Sequence, residues 1–363
     1  MNAQGLARAD APFPPSNESQ RMTEPMQIRT LDDATAPAWD AFVAACPDGT
    51  FFHQSGWRRV IGDTLGHRVH FLYAQAGGAI KAVLPLANVR SVLFGNTLSS
   101  LPFCSYGGAI GEPQACRALE NEAVRLGREL GVDALELRCM RASGVARPVK
   151  SLYETFTKPI STSEADNMQA IRSKQRNVIR KGLKGGLTHR VGGIDDFYRV
   201  YAESVRNLGT PVFPKALFAA IQAQFPEGTE FFSAYKDDRI VASSMLFYFR
   251  DSVSPYYWGG THAARALAGN DYLCWQILCR GAERGCTLFD FGRSKVGTGS
   301  YQWKKNWGFD PQPLAYEYEL IRASEVPNVN PLNPKYRLFV EMWKRLPLPV
   351  TLVLGPWLSR NLG

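Results

Sequence analysis

Long apolar runs are missing: nowhere does the 363-residue chain approach the ~20 consecutive apolar residues of a spanning helix, so no transmembrane segment is expected. The first residues, MNAQGLARADAPFPPSNESQ, lack the apolar centre of a secretory leader. Their Pro, Ser, Asn and Ala content predicts a disordered tail over 1–25, and the expected location is cytoplasmic. No C-x-x-C spacing occurs among Cys46, Cys104, Cys116, Cys139, Cys274, Cys279 and Cys286, and only His262 lies near the last three. No metal site is expected, and the cysteines read as buried free thiols in a reducing compartment. Histidine is scarce: His53, His67, His70, His189 and His262 stand in unrelated contexts, and no G-x-S-x-G elbow exists. A Ser-His-Asp hydrolase therefore has little support, and the histidines read as structural. Acidic residues are absent from Arg172 to Arg190, which carries seven Arg and Lys and most of the net charge of +9. Such a strip suggests a polyanionic partner or a phosphate-bearing substrate.

What is present is an ordinary globular composition, 45% hydrophobic and 21% charged, over a length that suits about two domains. Helical and strand periods alternate, so the fold class is α/β or α+β. A strand near Met26–Leu31, a helix after Pro37 and a helix in SGWRRVIGDTLG open the first unit. Strands RVHFLYAQA, AIKAVLPLANVRSVL, LSSLPF and YGGAI, a helix from Pro113 to Leu130, and strands DALELRCM and Leu152–Phe156 complete it. A basic helix follows, capped by Ser163 and stopped by Gly185-Gly186, with Arg172, Arg176, Arg180 and Lys184 on one stripe. The second unit repeats the order: strand LTHRVGG, helices Asp195–Leu208 and Pro214–Gln224, and strands TEFFSAYK, RIVASSMLFYF and VSPYYWGG. A helix capped by Asn270, the strand CTLFDFG and a last strand PLAYEYELI close it. This order reads as a divergent internal duplication. The expected division is a first domain over 26–160, a basic connecting helix over 161–185 and a second domain over 186–323. A C-terminal helix and tail over 324–363 is expected to pack back on the domains; Trp357 with Arg360 leaves an option for weak peripheral membrane association.

The stretch FDFGRSKVGTGSYQWKKNWGF invites several readings. Its Asp-Phe-Gly is no kinase motif, because no His-Arg-Asp loop precedes it. VGTG lacks both the dinucleotide fingerprint and the GK[ST] of a P-loop. The order strand, loop, helix, strand, loop, short helix, strand, ending in WKKNWGF and LAYEYEL, resembles the acyl-CoA N-acetyltransferase (GNAT) fold. The resemblance implies two tandem GNAT-like domains with mixed, largely antiparallel sheets flanked by helices. At the helix entrance, where that fold presents N–H groups to a pyrophosphate, RALAGND has stretched spacing, no second glycine and a carboxylate at Asp271.

The doubled fold, IRSKQRNVIRKGLKGG, GNDYLCWQILCRGAERGCTLFDFG and WKKNWGF together resemble the FemAB family over about Met26 to Ile321. The set is most similar to the FemAB-related proteins of PEP-CTERM/exosortase exopolysaccharide systems, with VLPL at Val83 and LPFCSYGG at Leu101. The resemblance implies an enzyme that joins an aminoacyl or acyl group to an amine of an envelope or exopolysaccharide precursor. It implies no bound cofactor, with aminoacyl-tRNA or an acyl-CoA or acyl carrier as co-substrate. The coiled-coil insertion common in the family is absent.

Acyl transfer to an amine needs alignment, a neutral amine and a stabilised oxyanion. The resemblance gives the oxyanion role to Lys304, after Trp303, with Lys305 as the competing candidate. Asp290 lies opposite Phe289 and Phe291 on its strand, either facing the cleft to take a proton or paired with Arg293. Arg293, Lys295 and the VGTG amides could hold a phosphate or carboxylate. Tyr256, Tyr257 and Trp258 either line an acceptor channel or fill core, and Tyr301 and Tyr106 are further candidate substrate contacts. The stripe Arg172, Arg176 and Arg180 binds substrate phosphates or forms a solvated face. Two other functions stay open: an acyl-CoA- or acyl-carrier-dependent N-acyltransferase acting on an amino sugar, and an inactive GNAT-like module that binds polyanions.

Overall fold

Asp237 and Asp238, both left-handed at φ 48° and 56°, make the tight turn expected between TEFFSAYK and RIVASSMLFYF. Similar local agreement runs through most of the chain. In this computed structural model, residues 25–91, 95–327 and 334–362 are described; apart from Pro25, the expected tail lies outside them. The first half supplies β1 (Gln27–Thr30), β2 (Arg68–Ala76), β3 (Ala79–Ser91), β4 (Gly95–Ser99), β5 (Ile110–Gly111), β6 (Ala134–Cys139), β7 (Val149–Lys150) and β8 (Tyr153–Pro159). The second supplies β9 (Thr188–Val191), β10 (Thr229–Lys236), β11 (Arg239–Phe249), β12 (Ser252–Gly260), β13 (Leu288–Lys295), β14 (Pro311–Pro313) and β15 (Ala315–Leu320).

The helices of the first unit are α1 (Ala36–Ala45), the single turn α2 (Trp57–Arg59) and α3 (Pro113–Leu130). Proline opens α3, Gly131 at φ 59° ends it, and Ala115, Leu119, Ala123 and Gly127 form its buried stripe. Connecting helices α4 (Glu164–Gln169) and α5 (Ser173–Lys184) lead to α6 (Ile194–Leu208), α7 (Lys215–Gln224), α8 (His262–Ala266), α9 (Gly269–Glu283) and α10 (Gly299–Asn306). Two further helices, α11 (Pro334–Arg345) and α12 (Leu348–Ser359), pack on α6.

Four local expectations are corrected. LSSLPF and YGGAI are strand only at Leu98–Ser99 and at Ile110, and the residues between form a loop. The basic helix is two helices: Arg172 adopts an extended conformation at the N-cap of α5, so the four-residue stripe survives only from Arg176 onward. SGWRRVIGDTLG holds a short α turn running into a π turn at Val60–Thr64. Asn270 does not cap α9; Ala268, at φ 53°, precedes the helix, and Asn270 accepts the Trp258 indole N–H at 3.0 Å.

The sheets do not follow chain order. The eight-stranded sheet runs β1-β2-β3-β4-β6-β15-β7 with β5 on β3, and the seven-stranded sheet runs β14-β8-β13-β12-β11-β10-β9. Thus β8, at the end of the first unit in sequence, joins the second sheet, and β15, at the end of the second, joins the first. The exchange is reciprocal, and the cores merge accordingly. Phe51 stacks on Phe247 of β11 at 4.3 Å and lies 4.8 Å from Phe225 beyond α7. Burying these aromatics jointly makes the two units one packed body rather than beads on a linker.

Candidate active site

β12 and β13 are parallel but pair only at Ser252 with Leu288 and Val253 with Phe289. Past that point no ladder joins them. Each strand then bulges: β12 at Tyr256, which has no opposite residue on β11, and β13 at Phe291 and Gly292, which together face Phe156. Gly292 sits at φ 63°, a conformation that favours glycine.

The bulge on β13 aims three successive carbonyl groups at one point, and Lys304 of α10 fills it. Its Nζ donates to the oxygens of Phe291 (2.6 Å), Gly292 (3.0 Å) and Arg293 (3.2 Å). The side chain is buried, and burial pushes its pKa down to about 7; Asp290 pulls the other way and Arg293 adds repulsion. Lys305 is half-buried beside the Tyr301 ring and makes none of these contacts.

Asp290, as its strand position predicts, lies opposite the buried Phe289 and Phe291. Its Oδ1 accepts the Gly292 N–H at 2.7 Å and the Tyr106 hydroxyl at 3.2 Å. Burial raises its pKa, partly offset by the Gly292 N–H and by the charge on Lys304. The alternative pairing with Arg293 does not occur: the bulge carries Arg293 away to donate to the Tyr316 hydroxyl at 2.8 Å and to lie over the Tyr153 ring. Lys295 follows on the same strand, its pKa pushed down to about 8 by burial, with Arg293 and Lys150 repelling it.

The remaining wall comes from the first unit. In the loop after β4, Leu101 and Phe103 adopt positive φ angles of 58° and 71°. A side chain on Gly107 would meet the Ser100 oxygen at 2.3 Å, which explains the YGG sequence there. Tyr106, fully buried, bonds both Thr155 of β8 and Asp290. Tyr256 donates to the Phe103 oxygen at 3.0 Å, and Tyr316 of β15 donates to the Ser105 oxygen at 2.6 Å.

Around this centre, Trp303 bridges the open strands, 5.7 Å from Trp258 and 5.3 Å from Phe291. Tyr301 donates to Glu154 at 2.7 Å. Tyr257 is buried among Tyr201, Phe218 and Phe247 and is core. Arg176 and Arg180 bond elsewhere than Lys304 or Asp290: Arg176 donates to the Gln169 oxygen and Arg180 to Asn177, while Arg172 stands at the N-cap of α5. His53, satisfied by Thr50 and the Gly108 oxygen and kept neutral by burial at a pKa of about 4, is structural.

Sequence reasoning missed Ser105, in the loop beside Tyr106, and Thr155 and Tyr316, which reach the site only through the strand exchange. Asp271 was noticed for its charge but not for its work. Its Oδ1 accepts Gln175 Nε2 (2.5 Å), Trp303 Nε1 (2.8 Å) and Trp307 Nε1 (3.1 Å), fixing α10 against α9 and α5.

The duplication has a counterpart on the first sheet. LELR of β6 corresponds to FDFGR of β13, so Glu136 takes the place of Asp290 and Arg138 that of Arg293. Without an inserted glycine, Glu136 and Arg138 pair at 2.8 Å, and Ser99 and Tyr318 complete the carboxylate's hydrogen bonds. That carboxylate is buried and ion-paired, whereas Asp290 is half-buried and bonded to Tyr106 and the Gly292 N–H.

Residues 168–305 match the family model described as an acetyltransferase (GNAT) domain. No curated protein matches in sequence. Among solved structures, FemX is 13% identical, covers 86% of this chain and 100% of its own, and superposes with a TM-score of 0.62. A tandem GNAT protein from the clavulanic acid biosynthesis pathway is 12% identical, with 83% and 100% covered and a TM-score of 0.52. The C-terminal domain (DUF2156) of a putative lysylphosphatidylglycerol synthetase from Agrobacterium fabrum is 14% identical, with 78% and 91% covered and a TM-score of 0.52. The fold is tandem GNAT-like and Fem-like.

Proposed function

We propose that this chain is an acyltransferase that forms an amide on an amine acceptor at the cleft between β12 and β13. The observation that carries the reading is the junction of buried Lys304 with half-buried Asp290 inside the region matching the acetyltransferase model. In this reading Asp290 accepts the proton that the attacking amine must lose, with Tyr106 holding the carboxylate. The C–N bond forms as the carbonyl oxygen gains charge, and the positive charge of Lys304 stabilises it. Because the three ammonium protons already point at carbonyl oxygens, that help is mainly the field of a fixed cation in a poorly solvated site. Collapse breaks the C–O or C–S bond to the donor, and the proton on Asp290 passes to the leaving oxygen or sulfur.

Arg293 and Lys295, with Lys150 near them, give the acceptor side a cationic wall suited to a phosphate or carboxylate. An envelope or exopolysaccharide precursor, the acceptor class implied by the FemAB resemblance, carries such groups. For the donor, Asp271 in the first turn of α9 weighs against a pyrophosphate seated there and favours an aminoacyl ester over acyl-CoA. Incubation with charged tRNA and, separately, with acyl-CoA, each with amino-sugar and peptidyl amine acceptors, followed by mass spectrometry of the products, tests the proposal. An amide product with either donor supports it. Salt-sensitive RNA binding with no product from either donor would replace it with the polyanion-binding reading.

A further inference from the structure

α12 buries only part of its apolar surface. The most buried positions of its inner face are Thr351, Gly355 and Ser359, small residues four apart. A side chain on Gly355 would meet Val212 at 2.8 Å, and Ser359 donates to the Val212 oxygen at 3.0 Å, so this close docking fixes the helix's orientation. Leu348 and Leu352 pack on the core beside them, and the remaining large apolar residues point out. Val350, Val353, Leu354 and Trp357 recur at helical spacing on the solvent side, with Val353 75% and Trp357 58% exposed. Leu338 and Met342 of α11, four apart, are exposed as well.

Exposed apolar faces of this kind need an occupant. The charges around this one select it. Lys344 is paired with Glu341 at 3.0 Å, but from Met342 to Gly363 the chain contains no acid, and Arg345 and Arg360 are exposed cations. A second copy seated on the same face would bring these like charges together. An anionic lipid surface would pair with all of them, and a tryptophan among aliphatic residues suits the headgroup boundary. Among the described residues no helix is long and apolar enough to cross a membrane, so contact would lie in the interface plane. We infer that the outer face of α11 and α12 docks this protein on membranes bearing anionic lipid, independently of the chemistry at Lys304.

Flotation of the full chain with vesicles of phosphatidylcholine plus phosphatidylglycerol, against phosphatidylcholine alone, is the test. Binding to the anionic vesicles, weakened by salt, is expected. The double variant Val353→Ser with Trp357→Ser should cut partitioning at least about tenfold, with an unchanged unfolding curve because both side chains face solvent. Arg345→Ser with Arg360→Ser should weaken it by about fivefold for each cation removed. Absence of flotation, or equal flotation by the Val353/Trp357 variant, overturns the inference. Sedimentation showing a dimer that this variant dissociates would also overturn it, assigning the face to self-association.

Discussion

The Tyr106 hydroxyl, from a loop of the first unit, donates to Asp290 on the second sheet at 3.2 Å. Hydrogen bonding to a carboxylate favours its charged form, so Tyr106→Phe should raise the Asp290 pKa further. The acid limb of the kcat/KM profile should then move to higher pH, read directly from pH–rate curves of parent and variant. An unmoved limb would remove Asp290 from the proton transfer.

Lys304→Met should lower kcat by about 10²–10³ while leaving the acceptor's KM near its parent value. Activity of the parent should fall as pH rises through about 7, because burial depresses the lysine pKa and only the cation helps the oxyanion. Lys304→Arg, which stays charged, should show lower activity without that alkaline limb.

Stability should carry the opposite sign. Between about pH 7 and the lysine's unfolded value the native state has lost a proton that the unfolded chain keeps, so stability rises with pH in that window. Denaturant midpoints measured across it should climb less steeply in Lys304→Met than in the parent.

Glu136 and Asp290 occupy equivalent strands but should respond oppositely. Glu136→Gln strips the charge partner from buried Arg138 and should cost about 3–5 kcal/mol in chemical denaturation with turnover retained below the transition. Asp290→Asn should abolish turnover with little loss of stability, because it removes a desolvated charge that has no ion-pair partner nearer than the Lys304 region.

Asp271→Ala leaves the indoles of Trp303 and Trp307 and the Gln175 amide without their shared acceptor. A loss of about 2–4 kcal/mol is expected, with α10 loosened and activity reduced. Asp271→Asn keeps an acceptor oxygen and should recover most of both.

The sequence by itself determined the local elements: strand alternation, the Asp237-Asp238 turn, proline and glycine at the ends of α3, and the placement of Asp290 opposite two phenylalanines. These follow from side-chain period and turn chemistry within a few residues. It also carried the doubled order of elements, and with it the tandem GNAT-like class. Only tertiary structure decided the strand exchange, because hydrogen-bond partners of β8 and β15 are set by packing across more than a hundred residues, not by local pattern. The separation of Asp290 from Arg293 was decided there too. A single extra residue opposite Phe156 bulges the strand, turns its carbonyls toward Lys304 and leaves the carboxylate to Tyr106.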